Sequence, residues 1–190
     1  FKDNLLDIID TRKGGLAIYG GIIAGLVAAL VFAKVKKINF LHLFDFGIPY
    51  VPMAQAIGRW GNFVNQEAYG VNTSLPWGMT SDTIRNELTA NAQKLSQMGI
   101  YVDPSKPVHP TFLYESLWDL GVFLILIWYR RRKKVNGEVF FLYMILYGIG
   151  RAWIEGLRTD SLMVGTQRVS QVLSVIFAIT FAVVLFIRRK

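Results

Sequence analysis

At residues 58–70 the chain reads GRWGNFVNQEAYG, and this stretch closes an apolar run from Ile48 to Ile57. It combines an arginine, several amides, a carboxylate and three glycines. Ionisable groups at membrane depth are costly and normally face a cavity or a partner. Because these polar residues are clustered at the end of a membrane segment, the stretch predicts a binding site there.

The composition indicates an integral membrane protein. Of the 190 residues, 53% are hydrophobic and 18% are charged, and the mean hydropathy is +0.36. A soluble domain of this size is rarely so apolar. The chain contains no cysteine, which excludes disulfides, thiolate metal sites and a cysteine nucleophile of its own.

Motifs for several other chemistries are missing from the sequence. It contains no H-E-x-x-H, no P-loop, no G-x-G-x-x-G and no G-x-S-x-G. Metal catalysis, ATP use, dinucleotide chemistry and a serine hydrolase therefore have no support. We expect no cofactor and no bound metal.

Five apolar segments approach the length that a membrane-spanning helix needs, about 20 residues. They are Leu16–Ala33, Phe40–Phe63, Pro110–Tyr129, Val139–Leu157 and Val169–Ile187. Pro49 and Pro52 predict a kinked or broken helix in the second segment. The sequence thus predicts an all-α membrane protein, a helical bundle of about five spans.

The basic residues orient these spans. About half of the 21 Lys and Arg lie in three runs that each follow an apolar segment: Lys34–Lys37, Arg130–Lys134 and Arg188–Lys190. Such flanking charges mark the cytoplasmic side, and this explains the runs better than binding to nucleic acid. We predict that Phe1 lies outside and Lys190 inside the cell.

Three regions follow from this topology. Residues 1–65 hold two spans, residues 66–109 form a small extracytoplasmic head, and residues 110–190 hold three spans and a cytoplasmic C-terminus. Thr83–Met98 in the head is predicted to be an amphipathic helix. Because the chain lacks an initiator Met and begins with charged residues, we expect a fragment that lacks earlier spans.

Polar residues share helical faces in two spans. Gln55, Arg59 and Asn62 follow an i, i+4, i+7 spacing in the second span. The corresponding set in the fourth span is Gly148, Arg151, Glu155 and Arg158. Since an arginine can bind a phosphate through two hydrogen bonds, a shared lipid phosphate is one hypothesis. A structural arginine at a helix break and a buried Arg151–Glu155 ion pair are the alternatives.

Two further motifs open spans. His109-Pro110-Thr111-Phe112-Leu113-Tyr114-Glu115 opens the third, where Pro110 suits a first helical position and the helix dipole favours Glu115. Structure alone can therefore explain this motif. Gly14-Gly15-Leu16-Ala17-Ile18-Tyr19-Gly20-Gly21 opens the first span; its glycines allow close helix packing, and Tyr19 is predicted to point into the bundle.

Taken together, these residues resemble the bacterial prolipoprotein diacylglyceryl transferases. The resemblance covers nearly the whole chain. It rests on four separated motifs in family order: Gly14–Gly21, Gly58–Gly70, His109–Glu115 and Gly150–Asp160.

The resemblance implies a bundle of seven spans with an external head, in the bacterial cell membrane, of which five spans are visible here. It implies transfer of a diacylglyceryl group from phosphatidylglycerol to the lipobox cysteine thiol of a prolipoprotein, with release of glycerol phosphate. The implied partners are that lipid, that preprotein and the bilayer, with no nucleic acid.

Roles for individual residues follow from the same resemblance. The implied lipid-binding residues are Arg59, Asn62, Gly70, Arg151 and Arg158, and the implied catalytic residues are Glu155, Arg151, Glu67 and Tyr19. A free thiol has a pKa of about 8.5, so our hypothesis is that Glu155 or Glu67 assists its deprotonation, directly or through Tyr19 or water. Many members have His-Gly-Gly where this chain has Tyr19-Gly20-Gly21, so a mechanism with that histidine as base cannot apply unchanged.

Two other functions remain open at this point. A transporter or channel could use buried Arg and Glu residues to couple ion movement, although these residues cluster at the outer end and no inverted repeat is visible. An inactive lipid-binding scaffold is the other alternative.

Overall fold

A computed structural model describes residues 18–161, 163–164 and 167–190, without the side chains of Ile18, Tyr19 and Val164. Within these residues the helices are α1 (Ile18–Lys36), α2 (Phe40–Gly47), α3 (Tyr50–Asn65), α4 (Asp82–Gln97), α5 (Thr111–Tyr129), α6 (Glu138–Glu155) and α7 (Val169–Arg189). Strands β1 (Met163–Val164) and β2 (Gln167–Arg168) form an antiparallel pair in which Met163 lies opposite Arg168. The prediction of a mostly helical protein is confirmed.

The chain divides into two compact units, Phe1–Leu43 and Phe44–Lys190. The first contains α1, whose last turn carries Lys34 and Lys36. Lysines at that end of a helix interact favourably with its dipole. Gly14 and Gly15 lie outside the described residues.

The second predicted span is interrupted, as its prolines indicate. It consists of α2 and α3, with Pro49 directly before α3 and Pro52 in the first turn of α3. Prolines fit there because the first N–H groups of a helix have no intrahelical acceptor. At the other end, Gln66 is left-handed (φ 56°) and its N–H donates to the carbonyl of Phe63 at 3.1 Å. The polar motif thus begins in a helix and continues beyond it.

Four helices of the second unit, α3, α5, α6 and α7, pack against one another in that order. α3 packs against α5, α5 against α6, and α6 against α7. Val122 and Leu126 of α5 are buried against Val139 and Tyr143 of α6. A Cβ at Gly148 would lie 2.7 Å from the carbonyl oxygen of Ser174, so this glycine permits the close approach of α6 and α7.

Two of the described helices are long and apolar enough to cross a membrane. They are α5, with a mean hydropathy of 1.4, and α7, with 2.5. Only 6% of the α7 segment is buried within the protein, which suits a helix with lipid around it. The helix α6 carries Glu138, Arg151 and Glu155 in 18 residues. The count of five spans stays a prediction.

Residues 66–109, called the head segment below, fold around a small core of their own. Its helix α4 begins after Ser81, whose hydroxyl accepts a hydrogen bond from the N–H of Ile84 at 3.1 Å. The side chains buried in this core are Tyr69, Ile84, Leu88, Leu95, Ile100 and Val108. α4 corresponds to the predicted amphipathic helix Thr83–Met98.

Candidate functional site

The carboxylate of Glu115 lies at the centre of the site. This residue is one turn into α5 and only 5% exposed. One of its oxygens pairs with Arg59 of α3, and the other lies 3.2 Å from Arg158 Nη1 and 3.5 Å from Arg151 Nη1. One buried carboxylate therefore gathers three arginines, which we call the arginine cluster.

Two of these arginines have a second carboxylate partner. Arg151 Nη2 lies 2.6 Å from Glu155 Oε2, one turn along α6, and Glu155 is 2% exposed. Arg158 donates two hydrogen bonds to Asp160, at 2.8 and 2.6 Å. Burial raises the pKa of Asp160, but these bonds and the charge of Arg158 outweigh it, so the pKa is lowered. The arginines and their carboxylates thus have formal charges that cancel.

Asn62 connects the arginine cluster to Glu67. Its side-chain oxygen lies 3.5 Å from Arg59 Nη1, and its amide nitrogen donates to Glu67 Oε1 at 3.0 Å. The amide of Asn65 donates to the same oxygen at 3.1 Å. Arg59 and Asn62 meet because they lie three residues apart on α3, whereas Glu67 reaches them because the chain turns at Gln66.

At Gly70 the motif Gly58–Gly70 contacts two other motifs, His109–Glu115 and Gly150–Asp160. Its N–H donates to the carbonyl of His109 at 2.9 Å, and the N–H of Val71 donates to the carbonyl of Leu157 at 2.8 Å. A Cβ at Gly70 would lie 2.8 Å from His109 Cβ and 2.9 Å from Leu157 O. Gly70 therefore joins the head segment to the start of α5 and the end of α6, at a place with no room for a side chain.

The remaining polar groups of the third-span motif contact one another. The hydroxyl of Tyr114 lies 3.0 Å from His109 Nδ1 and accepts a hydrogen bond from Trp77 Nε1 at 2.9 Å. Burial lowers the pKa of His109, which favours the neutral imidazole at neutral pH. These contacts tie the head segment to α5, while Glu115 of the same motif points into the arginine cluster.

The match to known proteins agrees with these motifs. Residues 1–187 match the family model described as prolipoprotein diacylglyceryl transferase. The chain belongs to this family.

Several proteins named phosphatidylglycerol–prolipoprotein diacylglyceryl transferase are close relatives of this family member. The one from Clostridioides difficile strain 630 is 47% identical over 93% of this chain and 62% of its own length. The one from Finegoldia magna is 47% identical over 100% of this chain and 68% of its own. The one from Bacillus cytotoxicus is 42% identical over 100% of this chain and 67% of its own length. The chain therefore spans about two thirds of the length of these relatives.

Within this transferase-family chain, the structure brings together most of the residues singled out from the sequence. Those in contact around the site are Arg59, Asn62, Glu67, Arg151, Glu155 and Arg158. Gly70 contributes through its backbone. The side chain of Tyr19 lies outside the described part of the structure, and its role stays a prediction.

Sequence reasoning did not assign the central position to Glu115. Its place near the predicted helix start predicts only a favourable interaction with the helix dipole. In the structure α5 begins at Thr111, so Glu115 lies beyond the first turn and pairs with arginines instead. A carboxylate five residues into an apolar span was the available signal, because such groups need a charged partner.

A cavity of about 510 Å³ adjoins the site. α4 lines one side of it, and the segments that follow α3 and α6 line the other. Glu67 and Asp160 belong to its wall and also contact Asn62 and Arg158, respectively. The cavity therefore adjoins the arginine cluster through these two wall residues, although none of the three arginines lines it.

Proposed function

We propose that this chain holds the reaction site of a phosphatidylglycerol–prolipoprotein diacylglyceryl transferase. The reaction would move the diacylglyceryl group of phosphatidylglycerol to the thiol of a lipobox cysteine and release glycerol phosphate. The observation that carries the proposal is the convergence of Arg59, Arg151 and Arg158 from separate segments in a protein of this family.

The arginine cluster suits the phosphate of the lipid. Guanidinium groups bind phosphate oxygens through two parallel hydrogen bonds. The side chains of Arg59 and Arg151 are 23% and 21% exposed, so a ligand can reach them. In the reaction a carbon–oxygen bond to the phosphate breaks, and the arginines would stabilise the negative charge on the leaving group. A well-placed donor of this kind contributes about 3 kcal/mol.

The thiol of the peptide forms the new carbon–sulfur bond and loses its proton. Glu155 and Glu67 are the proposed acceptors of that proton. Glu155 is buried and paired with Arg151, whereas Glu67 is exposed and lines the cavity. We propose that the peptide approaches through this cavity, where Glu67 can contact the thiol directly or through water. Participation of Tyr19 is proposed on the family resemblance alone.

The proposed location is the bacterial cell membrane, with the head segment outside and Lys190 in the cytoplasm. The apolar helices α5 and α7 and the basic runs after α5 and in the last turn of α7 support this orientation. The bilayer then delivers the lipid to the side of the helices, and the preprotein arrives from the outer surface.

The test is a transfer assay with the purified protein. The purified protein is incubated in detergent with phosphatidylglycerol and a peptide that carries a lipobox cysteine. Mass spectrometry should detect a diacylglyceryl adduct on that cysteine and none when the peptide carries serine instead. No adduct with the cysteine peptide would contradict the proposed function.

A further inference from the structure

Glu115 has no part in the chemistry proposed above, yet it contacts all three arginines of the cluster. We propose that Glu115 is an internal counter-ion that holds the arginines in position before the lipid binds and competes with the lipid phosphate for them. The proposal deepens the proposed function and depends on it for the identity of the anion.

The three arginines reach Glu115 from different parts of the chain. Arg59 comes from α3, Arg151 from α6 and Arg158 from the segment after α6. Like charges brought this close repel one another, and more strongly in a partly buried site than in bulk water. Glu115 is 5% exposed and offers both oxygens to the arginines, so it offsets that repulsion and fixes their relative positions.

The three arginines differ in how many carboxylate partners they have. Arg151 keeps Glu155, and Arg158 keeps Asp160, if either loses Glu115. Arg59 pairs with no other carboxylate in the described part of the chain, and its remaining polar contact is Asn62 at 3.5 Å. Arg59 is therefore the arginine that turns from Glu115 to a phosphate.

Glu115 and the lipid phosphate would compete for the same guanidinium donors. A carboxylate and a phosphodiester each carry one negative charge and accept hydrogen bonds from the same guanidinium donors. Asp119, also buried on α5, interacts electrostatically with Arg59 but lies beyond ion-pair distance of the three arginines among the described residues. The competing charge is therefore that of Glu115, which acts as a positioning residue.

The test replaces Glu115 by glutamine in the whole protein. Glu115→Gln keeps the shape and removes the charge, so the KM for phosphatidylglycerol in mixed micelles should fall severalfold. The value of kcat should fall as well, because the arginines lose their fixed positions. Asp82→Asn, on the exposed surface of the head segment, removes one negative charge elsewhere and should change neither value.

A second variant and a second probe test the proposal independently of Glu115→Gln and of lipid transfer. Glu115→Asp keeps the charge but shortens the side chain, so its contact with Arg59 weakens and the KM should again fall. Glycerol phosphate, titrated by calorimetry, reports anion binding without turnover and should bind more tightly to both variants. This measurement still decides the role of Glu115 if the wild-type protein transfers no lipid.

If Glu115 has only a structural role, neither the KM nor the dissociation constant should fall. The KM and the dissociation constant of glycerol phosphate would then rise or stay unchanged in whichever variant folds, and either result would overturn the proposal. Loss of the folded state in both variants would overturn it too, because a phosphate could not displace so essential a contact.

Discussion

Residues of the same sequence motif have different structural roles in this protein. Arg59 and Gly70 lie in one continuous polar stretch, but Arg59 presents a charged side chain while Gly70 contributes only its backbone. The spacing of Arg59 and Asn62 on one helical face was predictable from periodicity. The pairing of Arg59 with Glu115 was not, because a helical pattern does not say which face of a neighbouring helix it meets.

Replacement of Gly70 by alanine should destabilise the protein. The added Cβ would collide with His109 Cβ and Leu157 O, and such overpacking costs about 1–3 kcal/mol. Thermal unfolding in detergent measures the effect as a lower Tm. Gly61→Ala is the matched control, because a Cβ there meets no atom within 4 Å and α3 should tolerate it. Equal Tm values for the two variants would contradict the close contacts of Gly70 with His109 and Leu157.

Replacement of Arg59 by lysine should weaken binding of phosphatidylglycerol. An ammonium group cannot reproduce the paired donors of a guanidinium, and loss of one charged hydrogen bond costs about 1.5 kcal/mol. We therefore expect a KM for the lipid roughly tenfold higher, measured in the transfer assay. Arg85→Lys, on the surface of α4, is the control. An unchanged KM in Arg59→Lys would remove Arg59 from the lipid site.

At the scale of elements, the apolar segments were predictable within a few residues. The helices α5, α6 and α7 follow the hydropathy of the sequence closely, and the prolines indicated the interruption before α3. The strands β1 and β2 were not predicted, because two-residue strands leave no periodic pattern. The contacts between the head segment and the ends of α5 and α6 also depend on backbone hydrogen bonds, which the sequence does not reveal.

The cavity beside α4 provides a prediction about the peptide substrate. Asn91 lines this cavity, so Asn91→Trp should fill part of it and raise the KM for the lipobox peptide several-fold. The KM for phosphatidylglycerol should stay the same, because the arginine cluster is not altered. Gln93→Trp places the same bulk on an exposed position of α4. An equal rise of both KM values in Asn91→Trp would contradict separate access for the peptide.

At the scale of the whole molecule, the orientation in the membrane can be tested directly. The chain has no cysteine, so single cysteines can be introduced at Ala92 in the head segment and at Asn136 after α5, both exposed. A membrane-impermeant maleimide should label Ala92→Cys in intact cells and Asn136→Cys only after permeabilisation. Labelling in the reverse order would contradict the orientation inferred from the basic runs.

The neighbouring ends of the head segment have a consequence for how such a protein can diversify. The N–H of Gly70 donates to His109 and the N–H of His109 donates to Val71, so residues 72–108 leave and return at adjacent points. A loop whose ends are already joined costs little to lengthen. We therefore expect that residues 72–108 can be lengthened, or exchanged with the corresponding segment of a relative, while the hydrogen bonds that join Gly70 and Val71 to His109 are kept.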